Sequence, residues 1–170
     1  MKININQTQN KEWSRMGPRA MFGQFMIDIA KKNEKLIVLS ADLGRSSGLD
    51  RFKSMFPKKY LSVGISEQNL IGVASGLINL NFKVVVYTIS NFLVHRCFEQ
   101  LRNDISLHKK PILMIGTSCG YDNASLGPTH HVIDDWGYIK NLPNFVCPNL
   151  KLYNQDCHNH RQRPWNGTIF

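Results

Sequence analysis

No apolar run in the 170 residues approaches the roughly 20 needed to cross a bilayer as a helix. The opening MKININQTQNKEW has no apolar stretch of the kind a signal peptide requires. A membrane span is excluded on this reading, and a cytoplasmic protein is expected. The four cysteines, Cys97, Cys119, Cys147 and Cys157, contain no C-x-x-C pair, so neither a zinc site nor a redox motif is expected and reduced thiols are the default. There is no G-x-G-x-x-G after an apolar run and no P-loop, which removes the usual nucleotide-phosphate cradles. Charged residues make up only 19% against 42% apolar, too little charge for a disordered or coiled-coil chain.

What is present is a basic chain of one-domain length with a formal net charge of +9, a balance that favours acidic partners such as phosphorylated metabolites. The lysines occur as scattered pairs without the basic and aromatic stripe of a nucleic-acid module, so no nucleic-acid partner is expected. Apolar and amphipathic segments alternate. RAMFGQFMIDIAKKN has helical periodicity, giving a first helix over about 14–32, and KLIVLSADL is a continuous apolar run typical of a strand buried on both faces. LDRFKSMF predicts a short helix stopped by Pro57, YLSVGI a second strand, and 66–80 another helix. KVVVYTI and PILMIGT predict further strands, with FLVHRCFEQLRNDI as a continuous helix between them and HVIDDWGYIKNL as one more helix.

Such alternation predicts an α/β fold: a doubly wound, largely parallel sheet with helices on both faces. Ligands then lie beyond the carboxyl ends of the strands, in the loops after Leu39, Val63, Tyr87 and Gly116. The domain is expected over residues 14–150, with a polar extension over 1–13 and an irregular tail over 151–170. Cys157, His158 and His160 in that tail are metal-ligand types, but no matching pair lies elsewhere at useful spacing, so no metal site is expected on this chain.

One residue breaks the pattern. From Glu67 the spacing of three and four runs through Leu70, Ile71, Ala74, Leu77 and Ile78, which puts a carboxylate on the apolar stripe of its helix. An acid capped by Ser66 in a first turn gains about 0.3–1 kcal/mol from the helix dipole. Desolvating an ionised carboxylate costs several kcal/mol unless something satisfies it. A partner for Glu67 is therefore implied, and the small residues Gly72, Ala74, Ser75 and Gly76 would let it approach across an interface.

The segments SADLGRSSGLDRFKSMFPKKYLSVGISEQNLIGVASGL, FLVHRCFEQLRND, LGPTHHVIDD and LPN, in that order, resemble the pyrimidine-binding domain of transketolase-type thiamine diphosphate enzymes. The similarity covers roughly 15–146, G-I-x-E-Q being its most specific part, and points to the separate C-terminal subunit of split transketolases. The resemblance implies that Glu67 hydrogen-bonds the aminopyrimidine ring nitrogen and activates the cofactor, that Phe92 stacks on the ring, and that Asp42 and Leu43, in the A-D-L turn, border it. It implies substrate contacts for His130 and phosphate contacts for Arg19 and Ser46, whereas His131 has no counterpart. Two positions depart from the family: Thr117 stands where a histidine is frequent, and Leu126 where an aspartate meets a substrate hydroxyl. After LPN the expected strand, helix, strand and further domain are replaced by the odd tail, so the chain reads as cut short, with a sheet edge left unpaired.

The implied cofactors are thiamine diphosphate and Mg2+, the metal held by a partner N-terminal subunit, because the family's G-D-G…N motif has no equivalent here. The implied activity is transfer of a two-carbon ketol unit between phosphorylated sugars by a heterotetramer that includes self-association. Two alternatives stay open: a thiamine diphosphate-dependent synthase or decarboxylating subunit, and a catalytically inactive assembly module.

Overall fold

The computed structural model describes residue 15 and residues 17–43, 47–146 and 168–169. The first helix, α1 (Pro18–Lys32), begins at a proline, whose fixed φ suits an opening turn, and closes on Lys31 and Lys32, which face the negative end of the helix dipole. Then follow β1 (Leu36–Ser40), α2 (Asp50–Met55), β2 (Tyr60–Ser62), α3 (Glu67–Asn79) and β3 (Lys83–Ile89). After β3 come the short turns α4 (Ser90–Val94) and α5 (Phe98–Gln100), then β4 (Ile112–Thr117), α6 (Asp135–Ile139), β5 (Phe145–Val146) and β6 (Thr168–Ile169).

The strands form one sheet in the order β2-β1-β3-β4-β6-β5, every pair parallel. Alternation along each strand sends side chains to opposite faces. From β3, Val84 and Val86 join one core with Leu70, Ile71, Ala74, Leu101, Ile105 and Ile139. Val85 and Tyr87 join the other with Met26, Ile27, Leu49 and Phe52. Helices α1 and α2 thus cover one face, and α3 with the segment after β3 covers the other, as the continuous apolar runs predict. A helix as short as α2 is not stable alone; fully buried Phe52 pins it to the sheet, contributing about 2 kcal/mol.

Close backbone approach fixes how α1 sits. A Cβ on Gly23 would collide with the Gly48 carbonyl, and Gly48, at φ +71, leaves no room for one beside the Arg19 carbonyl. On the other face Gly116 admits Ser90: a Cβ at Gly116 would lie 2.7 Å from the Ser90 Cβ.

Four expectations need correction. The helix expected over FLVHRCFEQLRNDI is broken at His95–Cys97 and runs on from α5 as a π-helical turn over Leu101–Ser106. The break gives up helical bonds for a tertiary one, Gln68 donating to the Arg96 carbonyl at 3.0 Å, and a local one, the Cys97 thiol donating to the Phe92 carbonyl oxygen at 3.4 Å. Ser66 does not cap α3; its hydroxyl donates back to the Val63 carbonyl at 2.8 Å, closing the preceding turn. The outer edge of β4 is paired at one position, where Ile169 lies parallel to Leu113 and β6 stands between β4 and β5, so the expectation of an unpaired edge is corrected there alone. The counter-charge for Glu67 comes from within the chain, as described below. The 1–13 extension and the Cys157, His158 and His160 group lie outside the described residues.

Candidate cofactor-binding site

Two adjoining cavities open at the carboxyl ends of β1, β3 and β4, where a parallel sheet gathers its loops. The smaller, about 140 Å³, is lined by Ala41, Asp42 and Leu43 after β1, Ile65 and Glu67 after β2, and Thr88, Ile89 and Phe92 at the end of β3 and in α4. The larger, about 230 Å³, is lined by Arg19, Leu43, Tyr87, Ile89, Thr117, Ser118 and Asn123. Leu43 and Ile89 belong to both walls, so the cavities are neighbouring compartments of one cleft.

Glu67 opens α3 and is 3% exposed, yet it borders the smaller cavity. Leu70, Ile71 and Ala74 anchor the same helix face in the core, so the stripe that buries α3 also fixes the carboxylate. Arg96 Nη1 donates to Glu67 Oε2 at 2.6 Å and supplies the counter-charge that a buried carboxylate requires. The same guanidinium lies over the Phe92 ring, 4.5 Å from its centre. Asp42 adopts φ +55, a left-handed conformation that turns the chain out of β1 at the cavity mouth, and the Leu43 N–H donates to Ser40 Oγ at 3.2 Å. Beneath this wall the Cys97 thiol is pushed up to about 12, first by burial and then by the nearby Glu67 charge, with Arg96 pulling the other way.

In the larger cavity Arg19 is the cation. Tyr87 stacks on Phe22 with ring centres 4.8 Å apart. Burial raises the Tyr87 phenol above its ordinary range, while the Arg19 charge and a hydrogen bond with Thr117 draw it down. Thr117 Oγ1 also reaches the Thr88 carbonyl at 3.4 Å, so this hydroxyl is held by the protein's own groups.

Of the residues singled out by sequence, Glu67, Phe92, Asp42 and Leu43 meet around the smaller cavity, and Arg19 and Thr117 around the larger. His130 lines neither. Its ring stands edge-on to Phe92, centres 5.1 Å apart, and Nδ1 lies 3.0 Å from Thr129 Oγ1, which puts it beside the stacking aromatic. His131 packs edge-on against Tyr121. Leu126 is exposed and borders neither cavity. Ser46 lies outside the described residues. Arg96 was not singled out by sequence reasoning, although its position four residues after Phe92 is the spacing at which a cation reaches an aromatic on one helical face.

The smaller cavity fits the pyrimidine of thiamine diphosphate: aliphatic side chains and one aromatic suit the ring faces, and a single buried carboxylate suits a ring nitrogen. Among the described residues, no group of three His, Cys, Asp or Glu side chains is placed to hold a metal ion, and no helix is long and apolar enough to cross a membrane.

Comparison with known proteins gives the same direction. The family model "Transketolase, pyrimidine binding domain" matches residues 15–154. The chain is 32% identical over 126 residues to the 1-deoxy-D-xylulose-5-phosphate synthase of Syntrophomonas wolfei, a match covering 74% of this chain and 19% of the synthase. It is also 32% identical over 130 residues to the putative transketolase C-terminal section of Methanocaldococcus jannaschii, covering 76% of this chain and 41% of that protein. Among solved structures, one described as "Split gene transketolase, inactive beta4 tetramer" superposes with a TM-score of 0.65 at 32% identity, covering 74% of this chain and 40% of that one. The chain thus spans about a fifth of the synthase and two-fifths of the C-terminal section.

Proposed function

Because the chain belongs to the transketolase pyrimidine-binding-domain family, we propose that it is the pyrimidine-binding half of a transketolase-like, thiamine diphosphate-dependent enzyme. The observation that carries this reading is the convergence of a buried carboxylate, Glu67, and an aromatic, Phe92, on one cavity at the carboxyl end of a parallel sheet.

When bound, thiamine diphosphate supplies a carbanion-forming centre and an electron sink for breaking or making a bond next to a ketone. The chain's residues supply position and proton control. Glu67 shares a hydrogen bond with the pyrimidine ring nitrogen, from a side chain so little exposed that water screens the bond weakly. Phe92 provides a flat face, and Leu43 and the Asp42 turn line the same cavity. Arg19 offers a guanidinium to a substrate phosphate in the adjoining cavity and His130 a substrate contact beside Phe92; a phosphate contact by Ser46 rests on the family resemblance alone. The diphosphate and Mg2+ belong to an N-terminal partner subunit, in a complex that includes more than one copy of this chain. The similarity to a protein named as a transketolase C-terminal section supports that division. A cytoplasmic setting completes the reading, since phosphorylated sugars do not cross membranes unaided.

Ketol transfer between phosphorylated sugars is the reaction we assign. A synthase is the second reading, supported by the relative of that description and by Thr117 in the larger cavity, where a tethered hydroxyl takes the place of an imidazole. Co-expression with a diphosphate-binding half of a split transketolase, followed by assays with xylulose phosphate and with pyruvate as donors, tests both. Turnover of the sugar donor supports ketol transfer, and turnover of pyruvate alone supports the synthase. Formation of a stable, cofactor-loaded complex that turns over neither donor would mark the chain as an assembly module.

A further inference from the structure

Glu67 and Phe92 share a neighbour that lines neither cavity. Arg96 spans both, its Nη1 on Glu67 Oε2 at 2.6 Å and its guanidinium carbon 4.5 Å from the Phe92 ring centre. The two walls it joins arise 25 residues apart, at the start of α3 and in α4. Its own backbone is tied to α3, because Gln68, the residue after Glu67, donates to the Arg96 carbonyl at 3.0 Å. A guanidinium is planar, so one group presents N–H donors at its edge to a carboxylate while its face lies on an aromatic ring. An ammonium supplies the charge without the plane.

We propose that Arg96 is a positioning residue for the pyrimidine cavity, which sets the carboxylate of Glu67 and the ring of Phe92 at a fixed separation by gripping both from outside. The grip occupies Oε2 and leaves Oε1, to which no described residue donates, for the ligand. The helix break at His95–Cys97 acquires a purpose, because it presents the Arg96 side chain to the start of α3. This inference rests on the proposed reading of the cavity.

The test uses the full chain, with thiamine itself as the probe, titrated by calorimetry against wild type, Arg96→Ala, Arg96→Lys, Glu67→Gln and the remote control Arg102→Ala. Loss of a charge-assisted contact that orders the site is expected to weaken thiamine binding by Arg96→Ala about tenfold or more. Arg96→Lys, which keeps a counter-charge for Glu67 and so preserves the fold, is expected to recover only part of that affinity. Added guanidinium ion at low concentration is expected to restore binding to Arg96→Ala, where equimolar ammonium does not, and to leave Arg102→Ala unchanged. A purely structural role would not produce that rescue. Arg96→Lys binding as tightly as wild type while Glu67→Gln fails to bind would overturn the positioning role and leave the cavity assignment standing. No thiamine binding by wild type, or equal binding by Glu67→Gln, would remove the cavity assignment and this inference with it.

Discussion

The Glu67–Arg96 pair should respond to mutation asymmetrically, because its members differ in burial: the Glu67 side chain is 3% exposed and that of Arg96 45%. Removing the buried member lets the cation turn into water. Glu67→Gln keeps an acceptor for Arg96 and should change stability by less than about 1 kcal/mol, and Glu67→Leu should be neutral or stabilising, since the desolvation cost of the carboxylate disappears. Removing the exposed member strands a charge in the core wall, for which losses of about 3–5 kcal/mol are typical. We take the lower end, about 3 kcal/mol, because solvent already near Arg96 would reach part of the vacated space. With a slope of about 2 kcal/mol per molar urea, Arg96→Ala should unfold about 1.5 M earlier than wild type. The double variant Glu67→Leu/Arg96→Ala should regain most of the loss, giving a strong coupling in the mutant cycle. Urea unfolding of the full chain followed by far-ultraviolet circular dichroism makes the measurement. An Arg96→Ala midpoint within about 0.3 M of wild type, or a Glu67→Leu midpoint as low as that of Arg96→Ala, would refute the reasoning.

Gly116→Ala places a methyl 2.7 Å from both Cβ and Oγ of fully buried Ser90, where carbon contacts normally need about 3.5–4 Å. A loss of about 1–3 kcal/mol is expected, measurable as an earlier urea midpoint and partly relieved by Ser90→Gly. The Cys97 thiol, pushed up to about 12 from 9.0, keeps its proton in the folded chain where the unfolded chain gives it up. Its contribution to stability is therefore present below about pH 9 and lost as pH rises to about 12, and Cys97→Ala should flatten that part of a stability profile. In the native chain Cys97 should also react with iodoacetamide far more slowly than in the unfolded chain, and equal rates would contradict its burial.

The parallel sheet was legible because fully buried strands leave continuous apolar runs, and KVVVYTI became β3 over Lys83–Ile89 without adjustment. Glu67 was legible as an anomaly, since periodicity predicts which face a helix buries even when the residue on that face is charged. Its counter-charge was not. Arg96 lies 29 residues away across a helix break, and sequence propensity reads the segment after β3 as unbroken helix because the contacts that favour the break are tertiary. The convergence of Asp42, Leu43 and Phe92 came from family resemblance, because a loop leucine and a helix-start phenylalanine carry no chemical signature of their own. Ser66 looked like a cap by residue type, but the Gly64–Ser66 turn directs its hydroxyl to Val63. The pairing of Thr168 and Ile169 inside the sheet had no sequence signal, two residues being too few to show a period.

The central claim, that Glu67 controls a proton on the cofactor's pyrimidine, is tested most directly by exchange of the thiazolium C2 proton with solvent. The measurement uses a complex reconstituted from this chain, a diphosphate-binding partner and thiamine diphosphate, quenched at short times and read by proton magnetic resonance. The wild-type complex should exchange this proton faster than the free cofactor does, and Glu67→Gln should slow the exchange by about two orders of magnitude at unchanged complex stability. Equal exchange rates in the two fully loaded complexes would contradict it.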